Sequence, residues 1–503
     1  MLALKHVATF FVLSILFPFA GYASDISNQQ KLEFKIYLSQ IVAAEAIADP
    51  VQRCIAYPAL PSIVWPKDHI EAHCRYHHEP AISLKQIQAM VSAREFDKLE
   101  AVFNELQMRH DAESNQSELI HRVYEYLQSA DANNSTDLWL KHSPENAFAL
   151  TARAEFLRGS AWRARGGEYA SDTPDESLKS MSAFVQQAIP LYKKAIQLNP
   201  HIMQAYIGLL NVAMVDSESK IETEAMKNGL SKDDQCAEIF RYILIALQPR
   251  WGGKHELMQA FQVQYVLPSI PFRPLNAQYM ATTTQDVVNL ARIAGKTADE
   301  LMPWVIKGLE FGANENLMDE AVRLHYKTDR YDLQHQYTSQ IIRFRGGTVV
   351  DYGNMGNILL NFGFYEQGVR FIEKALELEP SNAFANYRLA RYYRYTQKWG
   401  KAVIHAKVVK DNKDYGQDAM LQLTESLYFD KRPHEALPFA IEMTTRFPNA
   451  AESWGTRLMC EITLNRQAEA KESLKKLKPL LKPGDETYQS LIQTTESVLR
   501  MAH

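Results

Sequence analysis

The sequence predicts an all-α protein built from helix–turn–helix repeats, degenerate in the N-terminal half and regular in the C-terminal half. Two observations predict it. Apolar residues recur at helical spacing through most of the 503 residues, and long alternating runs of strand type are absent. In the second half, residue types return every 34 positions. Gly368, Ala402, Ala436 and Ala470 form one series. Tyr365, Trp399, Pro433 and Gln467 form another, and Ile341, Ala375, Val409, Met443 and Leu477 a third. A fixed period of this kind means stacked two-helix units, each burying its apolar face on the next.

In chain order, residues 1–23 read as a signal peptide. Lys5 and His6 precede an apolar run of 14 residues, Val7 to Ala20, and Gly21-Tyr22-Ala23 offers small residues at a cleavage point. Cleavage is expected after Ala23, which places the protein in the periplasm or outside the cell; an uncleaved anchor is the alternative. Later apolar runs are too short to span a bilayer.

Residues 24–145 read as an N-terminal helical region. There Cys54 and Cys74 flank a proline-rich loop, "CIAYPALPSIVWPKDHIEAHC". Export permits a disulfide, and closing that loop is worth ~3 kcal/mol in the chain-entropy model. Cys236 and Cys460 read as free helical core residues.

Residues 146–270 read as a degenerate repeat domain. The stretch "AWRARGGEYA", residues 161–170, raises the question of a phosphate loop, a catalytic turn or a helix end. Gly166 and Gly167 follow helical spacing, where the chain needs positive φ to stop a helix. Thr173, Pro174 and Glu176 then read as a capping box opening the next helix. The same stop recurs at Gly253 and Gly347. A phosphate loop would place its glycines before a helix. The three prolines of "VLPSIPFRPLNAQYM", residues 266–280, mark the expected boundary to a linker with helices, 271–314. Residues 315–483 hold about five regular units, and 484–503 reads as a capping helix.

The unit "DYGNMGNILLNFGFYEQGVRFIEKALELEP", with Gly356, Gly363, Tyr365, Ala375, Leu376 and Pro380 in place, resembles the tetratricopeptide repeat family. The resemblance implies that first helices line a concave groove for a partner segment. The residues it places there are Asn354, Asn357, Tyr387, Arg388, Arg391 and Arg394. Family members that grip carboxylates use asparagine with lysine or arginine at such positions, and arginine forks suit carboxylates. The next unit offers Asp418, Gln422 and Glu425, so such a clamp would be partial. The stretches "AREFDKLEAVFNELQ", "AWRARGGEYA" and "PRWGG" resemble an uncharacterised family of exported bacterial helical proteins. That resemblance implies a helical fold and no activity.

Chemical motifs are sparse. A net charge of −4 and a pI near 6.4 argue against nucleic-acid binding. "AGKTADE" has Leu290 where a phosphate loop needs glycine. His69, His73 and His77 would share one helix face, and two such histidines can bind zinc. Yet Ile70 stands where a zinc protease has glutamate, and an oxidised Cys74 cannot be a ligand. No nucleophile elbow and no GxGxxG occurs. The sequence therefore leads to a non-enzyme without metal or cofactor. It reads as an exported scaffold or adaptor of the bacterial cell envelope, binding a protein or peptide segment, acidic by the arginines it would meet. The rival reading is a helical enzyme or metal protein using residues 67–80 and the 160s region.

Overall fold

The computed structural model describes residues 27–112, 118–167, 172–216, 219–481 and 488–501. The expected signal peptide lies outside them. The described chain is helical apart from a lone bridge between Leu60 and Ile63. The helices begin with α1 (Asn28–Glu45), α2 (Pro50–Ala56), α3 (Lys67–His78), α4 (Leu84–Ser92), α5 (Phe96–Asp111), α6 (Leu119–Tyr126) and α7 (Asn133–His142). The hairpin α8 (Ala147–Arg165) and α9 (Asp175–Leu198) follows, then α10 (Met203–Val215), α11 (Ser219–Leu230), α12 (Ala237–Ala246) and α13 (His255–Phe261). Six pairs come next: α14 (Thr282–Ile293) with α15 (Ala298–Leu309), α16 (Glu315–Lys327) with α17 (Tyr331–Arg345), and α18 (Val349–Asn361) with α19 (Tyr365–Leu378). The last three are α20 (Ala383–Tyr395) with α21 (Trp399–Val409), α22 (Gly416–Phe429) with α23 (Pro433–Arg446), and α24 (Ala451–Thr463) with α25 (Gln467–Leu477); α26 (Gln489–Met501) closes the chain.

By contacts the chain forms two units. One is Ala43–Arg345; the other joins Met1–Val42 to Gly346–His503. The expected segment boundaries at 145, 270 and 314 all fall within the first unit.

The repeat pairs show why the period is 34. Second helices begin at Tyr331, Tyr365, Trp399, Pro433 and Gln467, each 34 residues on. The turn before each second helix carries one residue of positive φ, at Gly295, Asp329, Gly363, Gln397, Lys431 and Asn465. A left-handed residue ends one helix and reverses the chain within two or three residues. Only two of the six are glycine, so the turn signal is hidden at the other four. The series also adds a pair, α14–α15, ahead of the expected start at 315. Inside the pairs, Ala375, Ala402, Ala436 and Ala470 are fully buried, as are Ile341 and Val409.

Helices α18 and α19 approach closely. A methyl group on Gly356 would lie 2.7 Å from the Gly368 carbonyl oxygen, and one on Gly368 would lie 2.9 Å from that of Gly356. Only hydrogen fits there. At the far end, Tyr488 and Leu491 cover Leu458, Leu474 and Leu477, closing the last pair.

In the first unit, one apolar core gathers Leu99, Phe103, Tyr124, Trp139, Tyr192 and Phe240 from α5 to α12. A second gathers α2, α3 and α14 to α17 around Trp65, Leu301, Leu317 and Phe344. Cys54 and Cys74 are bonded there, Cα to Cα 5.6 Å. The loop between them is pinned by hydrogen bonds. Trp65 Nε1 donates to the Leu309 carbonyl at 2.6 Å, and Gln340 Nε2 to that of Pro58 at 2.8 Å. Arg343 Nε donates to the Cys54 carbonyl at 2.7 Å.

Two local expectations need correction. The proline segment 266–280 is packed and largely helical, with π and 3-10 turns that absorb its prolines. Arg273 and Asn276 are buried in it, so it is an interior element of the first unit. The helix after the glycine pair starts at Asp175, with Pro174 at the cap position and no side-chain cap. The capping box expected from Thr173 and Glu176 therefore does not form; the proline sets the entry instead.

Candidate functional site

The expected partner face lies on the first helices of the second unit. Two polar ladders run along it at 34-residue spacing. One is Asn354, Arg388, Gln422 and Thr456; the other is Asn357, Arg391 and Glu425. Members of the two ladders are three residues apart on each helix, so they share a face. Asn354, Arg391 and Arg394 are half-buried, whereas Asn357, Tyr387 and Arg388 are buried.

Neighbouring helices already satisfy much of this face. Arg394 on α20 pairs with Glu425 on α22. Tyr387 donates its hydroxyl to Asp418 at 3.1 Å and stacks on Tyr415 with centroids 4.8 Å apart. Arg388 Nη2 donates to Asn361 Oδ1 at 3.3 Å. Burial holds Glu425 above the usual carboxylate range despite the Arg394 guanidinium. Burial and the Asp418 carboxylate likewise raise Tyr387. Glu425 of the neighbouring unit thus meets one of the cations that an acidic ligand would need, Arg394.

The His-rich helix α3 meets the start of α16. His77 Nε2 lies 3.0 Å and His73 Nε2 3.6 Å from Glu315 Oε1. Burial drives His73 down to about 4. Burial works against the charge on Glu315, yet the two imidazoles hold its carboxyl well below the usual range. Arg345 stands 3.8 Å from the other oxygen. His69 lines a small pocket together with His73, Trp65 and Pro274. Of the i, i+4, i+8 row, His73 and His77 meet Glu315, which with Arg345 makes an ion-pair centre.

The 160s region is a helix end, with α8 stopping at Gly166 at φ +78°. Glu168 lies outside the described residues. Arg163 donates to the Gln128 carbonyl and to Ser160. Trp162 Nε1 donates to Asn211 at 2.8 Å, and its ring meets Trp251 edge-on at 6.3 Å. Arg165 lies over both indoles, at 5.7 and 5.8 Å. The "AWRAR" and "PRWGG" stretches thus form one cation–π knot, which fixes α8 against the 249–253 turn.

A second polar centre, invisible in the sequence, lies within the first unit. Glu155 and Arg158 on α8 are buried and joined through Arg158 Nη2 and Glu155 Oε2 at 2.6 Å. Glu155 Oε1 accepts from Tyr192 at 2.8 Å and from Gln204 Nε2 at 3.0 Å. Gln204 Oε1 then lies 2.7 Å from His121 Nδ1. His121 Nε2 lies 3.6 Å from Cys236 Sγ and 3.4 Å from Glu118 Oε2. Arg273 bridges Glu118 and Asp233, both at 2.7 Å, and Asp233 lies 3.3 Å from His110 Nε2. Burial and the Glu118 and Asp233 carboxylates push the Cys236 thiol up. A cavity of about 510 Å³ opens beside this centre, with Glu118, Arg273, Arg75 and Arg109 in its wall.

The tetratricopeptide repeat family model matches residues 352–382, the α18–α19 hairpin and its exit. No curated protein matches the chain. Among solved structures, a mutant of MamA is similar at 21% identity, covering 33% of this chain and 95% of its own, with TM-score 0.30. Yeast Tom70 is similar at 10% identity over 83% of this chain and 95% of its own, TM-score 0.29. The Cut9–Hcn1 hetero-tetramer of the APC/C follows at 12% identity, 91% and 86%, TM-score 0.33.

Proposed function

We propose that the protein is an exported, non-catalytic scaffold that binds a segment of another cell-envelope protein on the first-helix face of its C-terminal repeats. One observation carries the reading: the two polar ladders on successive first helices. A helix face made only for packing is apolar. Here consecutive repeats place Asn357, Arg391 and Glu425 at equivalent positions, an amide, a cation and an anion in turn. Such a face suits an extended or helical segment that presents both charges and backbone groups.

The internal pairing of Arg394 and Tyr387 bears on the partner's chemistry. A simple acidic clamp would leave the arginines without intramolecular acids. Here Glu425 already pairs with Arg394, so a mixed-charge segment fits better than a purely acidic one.

Two experiments test the reading. Export predicts that Cys54 and Cys74 are bonded in protein recovered from the cell envelope, mapped under non-reducing conditions; two free thiols there would contradict it. The paired change Asn354→Ala, Arg391→Ala removes ladder groups that are only half-buried. It is expected to weaken capture of an envelope partner at least tenfold while the helical signal stays intact. Undiminished capture would move the partner off this face.

A further inference from the structure

We propose that His110 Nδ1, His121 Nε2, Cys236 Sγ and Glu118 Oε2 form a binding site for one divalent ion of zinc type within the first unit. The site is independent of the partner face.

The first argument is proton bookkeeping at the centre. Glu155 accepts only, so Gln204 must turn its Nε2 to Glu155 and its Oε1 to His121. An amide oxygen needs a donor, so His121 carries its proton on Nδ1. The lone pair on His121 Nε2 then points toward Glu118 Oε2 at 3.4 Å and Cys236 Sγ at 3.6 Å. Sγ and Oε2 are themselves 3.8 Å apart. Three electron-rich atoms converge with one thiol proton to share. Arg273 is directed to Glu118 Oε1, the oxygen that faces away, and to Asp233.

The second argument is shape. With metal–sulfur and metal–nitrogen bonds of about 2.3 and 2.0–2.1 Å, a tetrahedron has edges of roughly 3.3–3.6 Å. The observed 3.4, 3.6 and 3.8 Å edges are within a few tenths of that. His110 Nδ1 lies 4.0 Å from Glu118 Oε2, and ligand atoms of His110, His121 and Cys236 all lie within 4.8 Å of one another.

The third argument is the outer shell. Metal-bound histidines use their other ring nitrogen on an oxygen acceptor, which fixes tautomer and orientation. His121 has one in Gln204, and the Asp233 carboxylate lies 3.3 Å from His110 Nε2. Glu118 Oε1 is likewise held, by Arg273 and by the Ala237 amide at 3.3 Å. Nitrogen and thiolate donors select zinc-type ions over calcium or magnesium. Binding releases the thiol proton to solvent, and the thiolate with Glu118 then balances the ion's two charges. The adjacent cavity supplies a route for the ion.

The test uses the full chain, stripped with a chelator and then titrated with cobalt(II) and with zinc(II). Four-coordinate cobalt with a thiolate gives intense visible bands and a near-ultraviolet sulfur-to-metal band. The wild type is expected to take up one equivalent with both signatures, zinc should displace it, and zinc should raise the Tm. Cys236→Ser should lose the sulfur band and most of the Tm shift, while His77→Gln, in the α3 ion-pair centre, should keep both. A folded wild type that shows no four-coordinate cobalt overturns the proposal without reference to any variant. So does a sulfur band that survives Cys236→Ser or disappears with His77→Gln.

Discussion

Arg394 and Glu425 pair across two successive first helices, and Glu425 is almost wholly buried where they meet. A buried carboxylate without its cation is costly, typically 3–5 kcal/mol when one partner is removed. Arg394→Ala is therefore expected to lower stability by ~3 kcal/mol or more. Arg394→Met with Glu425→Met should recover most of it, because the charge that needed the partner is gone. Urea unfolding midpoints of the two variants check this. Equal losses in both would mean that the pair is not buried as described.

Two glycines of the second unit should respond with opposite sign. Gly356 faces the Gly368 carbonyl, whereas nothing lies within 4 Å of a methyl placed on Gly400 in α21. Gly356→Ala should overpack the α18–α19 contact and cost ~1–3 kcal/mol. Gly400→Ala should be neutral or stabilising, by up to about 1 kcal/mol, through helix propensity. Thermal melts of the two variants, run side by side, give the answer; a neutral Gly356→Ala would undo the register.

The first unit should lose stability in mild acid. A histidine in the unfolded chain titrates near 6.5, and burial holds His73 near 4. Between those values the unfolded chain takes up the proton more readily, so stability is complete above about 6.5 and declines as pH falls toward 4. Glu315, held below its usual range, adds a loss in the same direction at lower pH. His73→Gln should flatten the upper part of this dependence. Denaturant midpoints from pH 7.5 to 4.5 measure it, and parallel curves for wild type and variant would exclude His73 as the cause.

The fold was legible where spacing carries it. The Tyr365, Trp399, Pro433 and Gln467 series marks the start of every second helix from α19 to α25, because a fixed turn length transmits one period through the chain. The α14–α15 pair was missed for a physical reason. Its left-handed turn residue, Gly295, sits in "AGKTADE", which resembles a phosphate-loop tail, while Thr297 is in fact a helix cap bonded to Glu300. At Gln397, Lys431 and Asn465 the turn tolerates positive φ without glycine, so no composition signal exists. The partner-face residues were legible as positions but not as contacts: pairing of Arg394 with Glu425 depends on side chains 31 residues apart. The Cys236 centre was beyond sequence reasoning, since its members come from α5, α12, the start of α6 and the proline segment. Only the fold brings His110, Glu118, His121, Cys236 and Arg273 together.

Partners are proposed to engage the first-helix face of the C-terminal repeats. Site-specific photocrosslinking in living cells tests it most directly, with the crosslinker placed in turn at Asn354, Arg391, Ile404 and Ile441. The first two lie on the ladder face; Ile404 and Ile441 are exposed on the second helices α21 and α23. One discrete crosslinked species is expected from positions 354 and 391 and none from 404 and 441. A species formed only from 404 or 441 would contradict it and place recognition on the second-helix surface.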